Sequence, residues 1–134
     1  MIITEPWIRS WVSGQLFGDC AQFDEKCTAI GVMENGKLLA GVVYSDYRPN
    51  LSIEMNIASV DKRWCSRHNL KIFFQYTFTQ LNLGRAQATC SVMNEGAISM
   101  LLRLGFKQEG YHPQARYDGD ALSFGMLKHN CKWI

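Results

Sequence analysis

The stretch from Leu51 to Met93, LSIEMNIASVDKRWCSRHNLKIFFQYTFTQLNLGRAQATCSVM, decides the fold. Leu51 to Val60 alternates, with Ile53, Met55 and Ile57 on one face and Ser52, Glu54, Asn56 and Ala58 on the other, the period of a strand with one apolar face. From Arg67 to Asn82 the period changes. Leu70, Phe73, Phe74, Thr77, Phe78 and Leu81 recur every three or four residues, which predicts a long helix with a wide apolar stripe, closed by Gly84. Arg85 to Met93 reads as a strand again. Strand, helix and strand in that order require a crossover, so the two strands are expected to lie side by side and parallel, with the helix packed on the sheet. In sheets of this kind ligands bind beyond the carboxyl ends of the strands, where helix N-termini turn free N–H groups toward anions.

The remaining sequence extends this unit on both sides. Pro6 opens a helix over 6–17 in which Trp7, Ile8, Trp11, Val12 and Leu16 share a face, the two tryptophans being read as core. Residues 28–33 and 38–47 are β-rich runs around Glu34-Asn35-Gly36-Lys37, where Asn-Gly supplies the positive φ angles of a tight hairpin. Asn94 is placed to cap a helix carrying Ala97, Ile98, Leu101, Leu102 and Leu104, which Gly105 ends. Two further strands, 106–111 and 121–127, flank the turn Asp118-Gly119-Asp120. The class is α/β (α+β), a mixed sheet flanked by helices. With 134 residues, 47% of them apolar, and no linker or repeat, the expected organisation is one domain over 1–134.

The 14 basic and 12 acidic residues nearly cancel and form no block, which argues against a nucleic-acid partner held by bulk charge. Cys20, Cys27, Cys65, Cys90 and Cys131 are odd in number and lack any C-x-x-C pair, so they read as reduced thiols of a cytoplasmic protein. His68, His112 and His129 have no metal-ligand spacing, and no metal is expected. MIITEPWIRSW contains no signal-peptide core, and no run approaches the ~20 apolar residues of a membrane span.

Asn94-x-x-Ala97, Leu101, Leu104-Gly105-Phe106 and Glu109-Gly110 resemble the C-terminal half of the GNAT N-acetyltransferases, most closely the ribosomal-protein acetyltransferases of the Rim type and the small domains of this kind in bacteriophages. The resemblance covers roughly residues 28 to 127, and the order of elements read above is the family's order. It implies the GNAT fold and an acetyl-coenzyme A (acetyl-CoA)-dependent N-acetyltransferase acting on a primary amine, such as a protein N-terminus, a lysine or a small molecule, in a monomer or homodimer. The cofactor is implied to lie between the strand ending at Ala58 to Val60 and the strand starting near Ala86, with its diphosphate over the following loop and helix start. The implied cofactor-binding residues are Ala58, Val60, Arg63, Ser66, Arg67, His68, Asn69, Lys71 and Asn94.

This chain departs from the family at two places. The glycine-rich loop signature is absent: His68 and Leu70, or in a shifted match Ser66 and His68, stand where glycines are expected. Arg63, Arg67, His68 and Lys71 are then either a solvated face or a side-chain clamp that offsets a looser backbone cradle. Leu101 stands where many members carry a tyrosine that protonates the departing thiolate; Ser99, Tyr111 and Tyr117 are the substitutes at hand. Glu54 is the carboxylate that the resemblance implies as catalytic base, acting through water. The acceptor is expected between residues 7–26 and 111–120, whose Asp19, Asp24, Glu25, Asp118 and Asp120 favour a cationic amine. The missing glycines and tyrosine leave an alternative, a catalytically silent CoA-binding or protein-interaction module on the same fold.

Overall fold

The Asn-Gly turn sets the register of the first half of the sheet. The computed structural model describes residues 1–134, and in it Asn35 (φ 52°) and Gly36 (φ 76°) both take the left-handed conformation that lets two strands return on each other. They join β2 (Thr28–Glu34) to β3 (Lys37–Arg48), and β3 pairs antiparallel with β4 (Ser52–Ser59). A crossover through a short 3-10 turn (Lys62–Cys65) and α2 (Arg67–Gln75) leads to β5 (Arg85–Ser91), which lies parallel beside β4 as the periodicity predicts. The chain continues through α3 (Glu95–Leu104) into the hairpin of β6 (Lys107–Arg116) and β7 (Gly119–Leu127). With β1 (Ile2–Ile3) the seven strands form one mixed sheet in the order β1-β2-β3-β4-β5-β7-β6. No helix is long and apolar enough to cross a membrane.

Each face of the sheet carries its own core. On one side the α2 and α3 residues Leu70, Phe73, Phe74, Phe78, Leu101 and Leu104 join the main cluster with inward residues of β3, β4, β5 and β7. On the other side α1 (Trp7–Phe17) lays Ile8 and Val12 on Ala29, Val43 and Ala58. The helix lies close because Gly31 and Gly41 present no side chain: a Cβ at Gly41 would stand 2.7 Å from Val12 Cγ2 and 3.0 Å from Ile8 Cγ2.

Three local expectations are corrected. Trp7 is exposed and Trp11 only half-buried, because the stripe that reaches the sheet is Ile8 and Val12, one residue along from each tryptophan. The helix after β4 does not end at Gly84. It widens into a π turn at Tyr76–Gln80, with Leu81 N–H donating to Tyr76 O at 2.9 Å, and Asn82 at φ 52° reverses the chain. Asn tolerates that conformation better than other residues with a Cβ. The last hairpin turns at Tyr117-Asp118, with Arg116 paired to Gly119, one residue earlier than Asp118-Gly119-Asp120.

Gly41→Ala is therefore expected to destabilise the protein by about 1–3 kcal/mol through overpacking under α1. Gly84→Ala, with open space around its Cβ and no left-handed φ, is expected to be neutral or to stabilise by about 0.4–1 kcal/mol. Urea midpoints at constant m-value check both; a destabilised Gly84→Ala would return the helix stop to that glycine.

Candidate active site

β4 and β5 stay together for only three residue pairs, Ser52–Arg85, Ile53–Ala86 and Glu54–Gln87, and then part. Beyond that point β4 still pairs with β3 and β5 with β7 on their outer sides, so only the edges facing each other come free. Val60 N–H donates to Leu39 O at 2.9 Å. Alternation along an antiparallel ladder then turns the N–H and C=O of Ile57 and Ser59 toward the gap.

The gap lies in a cleft with two connected parts, which share lining residues. Toward α2 and α3 it widens into a groove of about 580 Å³; toward α1 it ends in a recess of about 100 Å³. Gln15, Leu16, Ile57, Asn94, Ala97 and Met100 line both parts. Leu70, Trp64 and Leu104 floor the groove, and Trp133, whose Nε1 donates to Leu104 O at 2.8 Å, stands at its wall. The charged residues that line the groove are Lys62 and Arg103, both cationic and exposed.

Of the residues expected to hold the cofactor, Ala58 and Asn94 line the groove. Asn94 Oδ1 caps α3 by accepting from Ala97 N–H at 3.0 Å, so the amide nitrogen takes no part in the cap. Val60 turns its N–H to β3, and the backbone at the gap belongs to its neighbours. Arg63 is committed elsewhere: it pairs with Asp61 at 2.8 Å and Glu34 at 3.1 Å, and its hydrogen bonds hold the Asp61 carboxyl down at about 2. Ser66 Oγ accepts from Asn69 N–H at 3.2 Å, and Asn69 Nδ2 donates to Trp64 O at 3.0 Å, which closes the first turn of α2 on itself. Arg67 lies 5.9 Å from the Trp133 ring centroid and donates to Lys132 O at 3.4 Å. His68 and Lys71 are exposed on the same turn and do not line the groove. Sequence reasoning missed Lys62, Arg103 and Trp133. For Arg103 a signal existed, since Asn94, Ala97, Met100 and Arg103 recur every third residue along one helical face.

Glu54 sits at the last paired position before the gap, half-buried on the face of β4 that looks toward α1. Burial pushes its carboxyl above the usual carboxylate range; a hydrogen bond from Thr89 Oγ1 at 3.2 Å draws it back, and the negative Asp46 raises it. Thr89 itself lines the recess, so the carboxylate is one side chain removed from the cleft. Leu101 is buried in the cleft wall. Ser99 is exposed, Tyr117 is fully exposed and Tyr111 donates to the Asp120 carboxylate; none of the three lines the cleft, and no tyrosine does.

No family model and no curated protein sequence matches the chain. Solved structures do. A GCN5-related N-acetyltransferase from Brucella melitensis superposes with a TM-score of 0.72 at 19% identity over 90% of this chain and 66% of its own. The ribosomal-protein-S5-alanine acetyltransferase of Vibrio fischeri gives 0.64 at 21% identity, covering 81% of this chain and 64% of that one. A point mutant of the spermidine N-acetyltransferase of Vibrio cholerae gives 0.67 at 21%, covering 83% and 70%. A probable acetyltransferase gives 0.67 at 20%, and this chain spans 62% of its length. At these identities the likeness is one of architecture, and it agrees with the mixed sheet, the parallel β4–β5 pair and the helix order found above. The chain has the GNAT fold.

Proposed function

We propose that this single-domain chain is an acetyl-CoA-dependent N-acetyltransferase that transfers an acetyl group to a primary amine and works in the cytoplasm, where its five free cysteines stay reduced. The observation that carries the reading is the parting of β4 and β5. Two peptide units, at Ile57 and Ser59, face a gap with no strand opposite them, and an extended amide-bearing chain such as pantetheine is the ligand that satisfies such an edge. The groove leading from the gap is lined by Lys62 and Arg103 and by no carboxylate, which suits a ligand whose far end carries phosphates.

Bound acetyl-CoA supplies an activated acyl group on a good leaving thiol. The protein supplies the rest. The edge at Ile57 and Ser59 orients the thioester arm along the gap. Glu54, through Thr89 and water, takes the proton of the attacking amine. With Leu101 in the place of a phenol, the thiolate leaves with help from solvent, which its modest basicity allows. The lack of any phenol in the cleft also favours the second reading, a silent CoA-binding module, and turnover separates the two.

Saturating acetyl-CoA is expected to raise Tm, since a ligand bound by the native state alone stabilises it by mass action; no shift at millimolar ligand would remove the assignment. Lys62→Ala with Arg103→Ala is expected to weaken coenzyme A about tenfold or more, while Arg67→Ala with Lys71→Ala weakens it less. Calorimetry checks the order, and a larger loss from the second pair would return the phosphate contacts to the start of α2.

Glu54→Gln is expected to keep acetyl-CoA affinity and to lower the thiol-release rate about 10²- to 10⁴-fold at neutral pH. The raised Glu54 carboxyl places the acid limb of the wild-type rate profile above the ordinary carboxylate range, with activity lost as pH falls through it. The native state then holds that proton more tightly than the unfolded chain, so the ionised group destabilises the fold at neutral pH. Glu54→Gln is expected to be the more stable protein at pH 7, with the difference vanishing in acid. Wild-type rates across pH in the mutant would exclude the base role.

A further inference from the structure

The recess on the α1 side of the cleft has its own charge pattern. Besides apolar groups it is lined by Gln15, Asn56, Thr89, Ser91 and Asn94, and its charged lining residue is Arg116. Arg116 ends β6 and reaches back over the Phe17 ring, 5.8 Å from its centroid, with its side chain only 22% exposed. Its Nε donates to Asp118 Oδ1 at 3.2 Å, a contact on one side of the guanidinium with a carboxylate that is itself 60% exposed. Burial raises the Cys90 thiol and the Arg116 charge opposes that rise; both residues line the recess.

The acidic residues that the sequence offers to a cationic acceptor are spent in their own loops. Asp19 accepts from Ala21 N–H and Gln22 Nε2, and Asp24 accepts from Lys26 N–H. Asp120 accepts from Tyr111 and from Gln114 N–H, and Asp118 faces Arg116. Neither these four nor Glu25 lines the recess. Glu54 is bonded to Thr89, and Ser91 follows two residues, ~7 Å, further along β5. The acceptor end is therefore dipolar, with a carboxylate behind Thr89 and a guanidinium beyond.

Resting on the acetyltransferase reading above, we propose that the acceptor is a primary amine with a carboxylate close to its amino group, which Arg116 binds, and not a polyamine. The amino nitrogen lies toward Thr89 and Glu54, and the carboxylate takes the free edge of the guanidinium, whose planar fork matches it. A recess of about 100 Å³ is small beside the ~300–1,000 Å³ of pockets that enclose a drug-sized ligand, so it holds only this reacting end. A free amino acid and a peptide with an acidic residue at or next to its N-terminus both present that chemistry.

The test compares glycine with glycinamide, an acidic N-terminal peptide with its amidated counterpart, and spermidine, as acceptors for the wild type, Arg116→Met and Arg116→Lys. Comparing the carboxylate-to-carboxamide ratio between variants cancels the intrinsic difference between the amines. In the wild type kcat/KM is expected to favour carboxylate acceptors over spermidine. Arg116→Met is expected to lower the carboxylate-to-carboxamide ratio about 10- to 100-fold through KM, and Arg116→Lys to restore part of it. A preference for glycine over the peptide, or the reverse, names the source. Equal loss for carboxylates and carboxamides in Arg116→Met, or a preference for spermidine, overturns the proposal. Glycine and glycinamide are also titrated into each protein with coenzyme A present or absent, followed by NMR. If acetyl-CoA fails to bind or no amine is acetylated, the catalytic reading falls, while Arg116-dependent binding of glycine in that titration still upholds the carboxylate site and its absence removes it.

Discussion

The peptide groups that β4 and β5 leave unpaired at their divergence govern the rest of this molecule. A free strand edge is ordinarily a hazard at the rim of a sheet. Here it lies in the middle, made possible because each of the two strands keeps a full partner on its other side, β3 for β4 and β7 for β5. The crossover through α2 requires the strands to start together, and Ser52 to Glu54 pair accordingly. Once they part, α3 closes one side of the opening and the end of α1 the other, through Asn94, Ala97 and Met100 opposite Gln15 and Leu16. The same constraint explains why α1 must lie low on the sheet. Without the bare backbone at Gly31 and Gly41 the helix would stand off β3, and the residues at its end would no longer reach the cleft.

The cleft divides its charges by face. The groove toward α2 and α3 has Lys62 and Arg103; the recess toward α1 has Arg116. Glu54 is the carboxylate nearest the gap, and it stays outside the lining, behind Thr89. In the base role proposed for it, Glu54 meets two opposed influences. Burial raises its proton affinity, and the hydrogen bond from the Thr89 hydroxyl lowers it. Removing the hydroxyl would change the pKa and also the path by which the carboxylate communicates with the cleft.

How much of this was legible in the sequence follows the range of the forces involved. Asn35-Gly36 and Gly105 take the left-handed conformations that their residue types predict, and Asn94 makes the side-chain cap that its type predicts. The parallel pair was legible because chain connectivity forces it. The π turn at Tyr76–Gln80 was hidden, since the apolar spacing of Phe74, Thr77, Phe78 and Leu81 reads equally well as an unbroken α-helix. The basic residues of the loop after β4 could be recognised as a group, but their partners were not. Asp61, two residues away, shares Arg63 with Glu34, 29 residues away, and the Trp133 segment takes Arg67 across 65 or more residues. Exposed cations near a helix start carry no mark in the sequence to tell which face the groove and which face an acid.

Leu101 shows how a departure from a family pattern alters the physics of a site without altering the fold. A tyrosine at that position in α3 would need its hydroxyl to reach the cleft, whereas leucine turns inward and joins Leu104, Phe106 and Met126 in the main core. Leu101 is 3% exposed, and burying such a side chain contributes about 1.5–3 kcal/mol relative to leaving it in water. It also makes that part of the cleft wall apolar. In the proposed reaction, proton delivery would then come along the opposite wall, where Asn56, Thr89 and Ser91 are the polar groups on the strands. Both proton movements of that proposed reaction, from the amine to Glu54 and to the departing sulfur, would then share the polar face that Asn56, Thr89 and Ser91 form between β4 and β5.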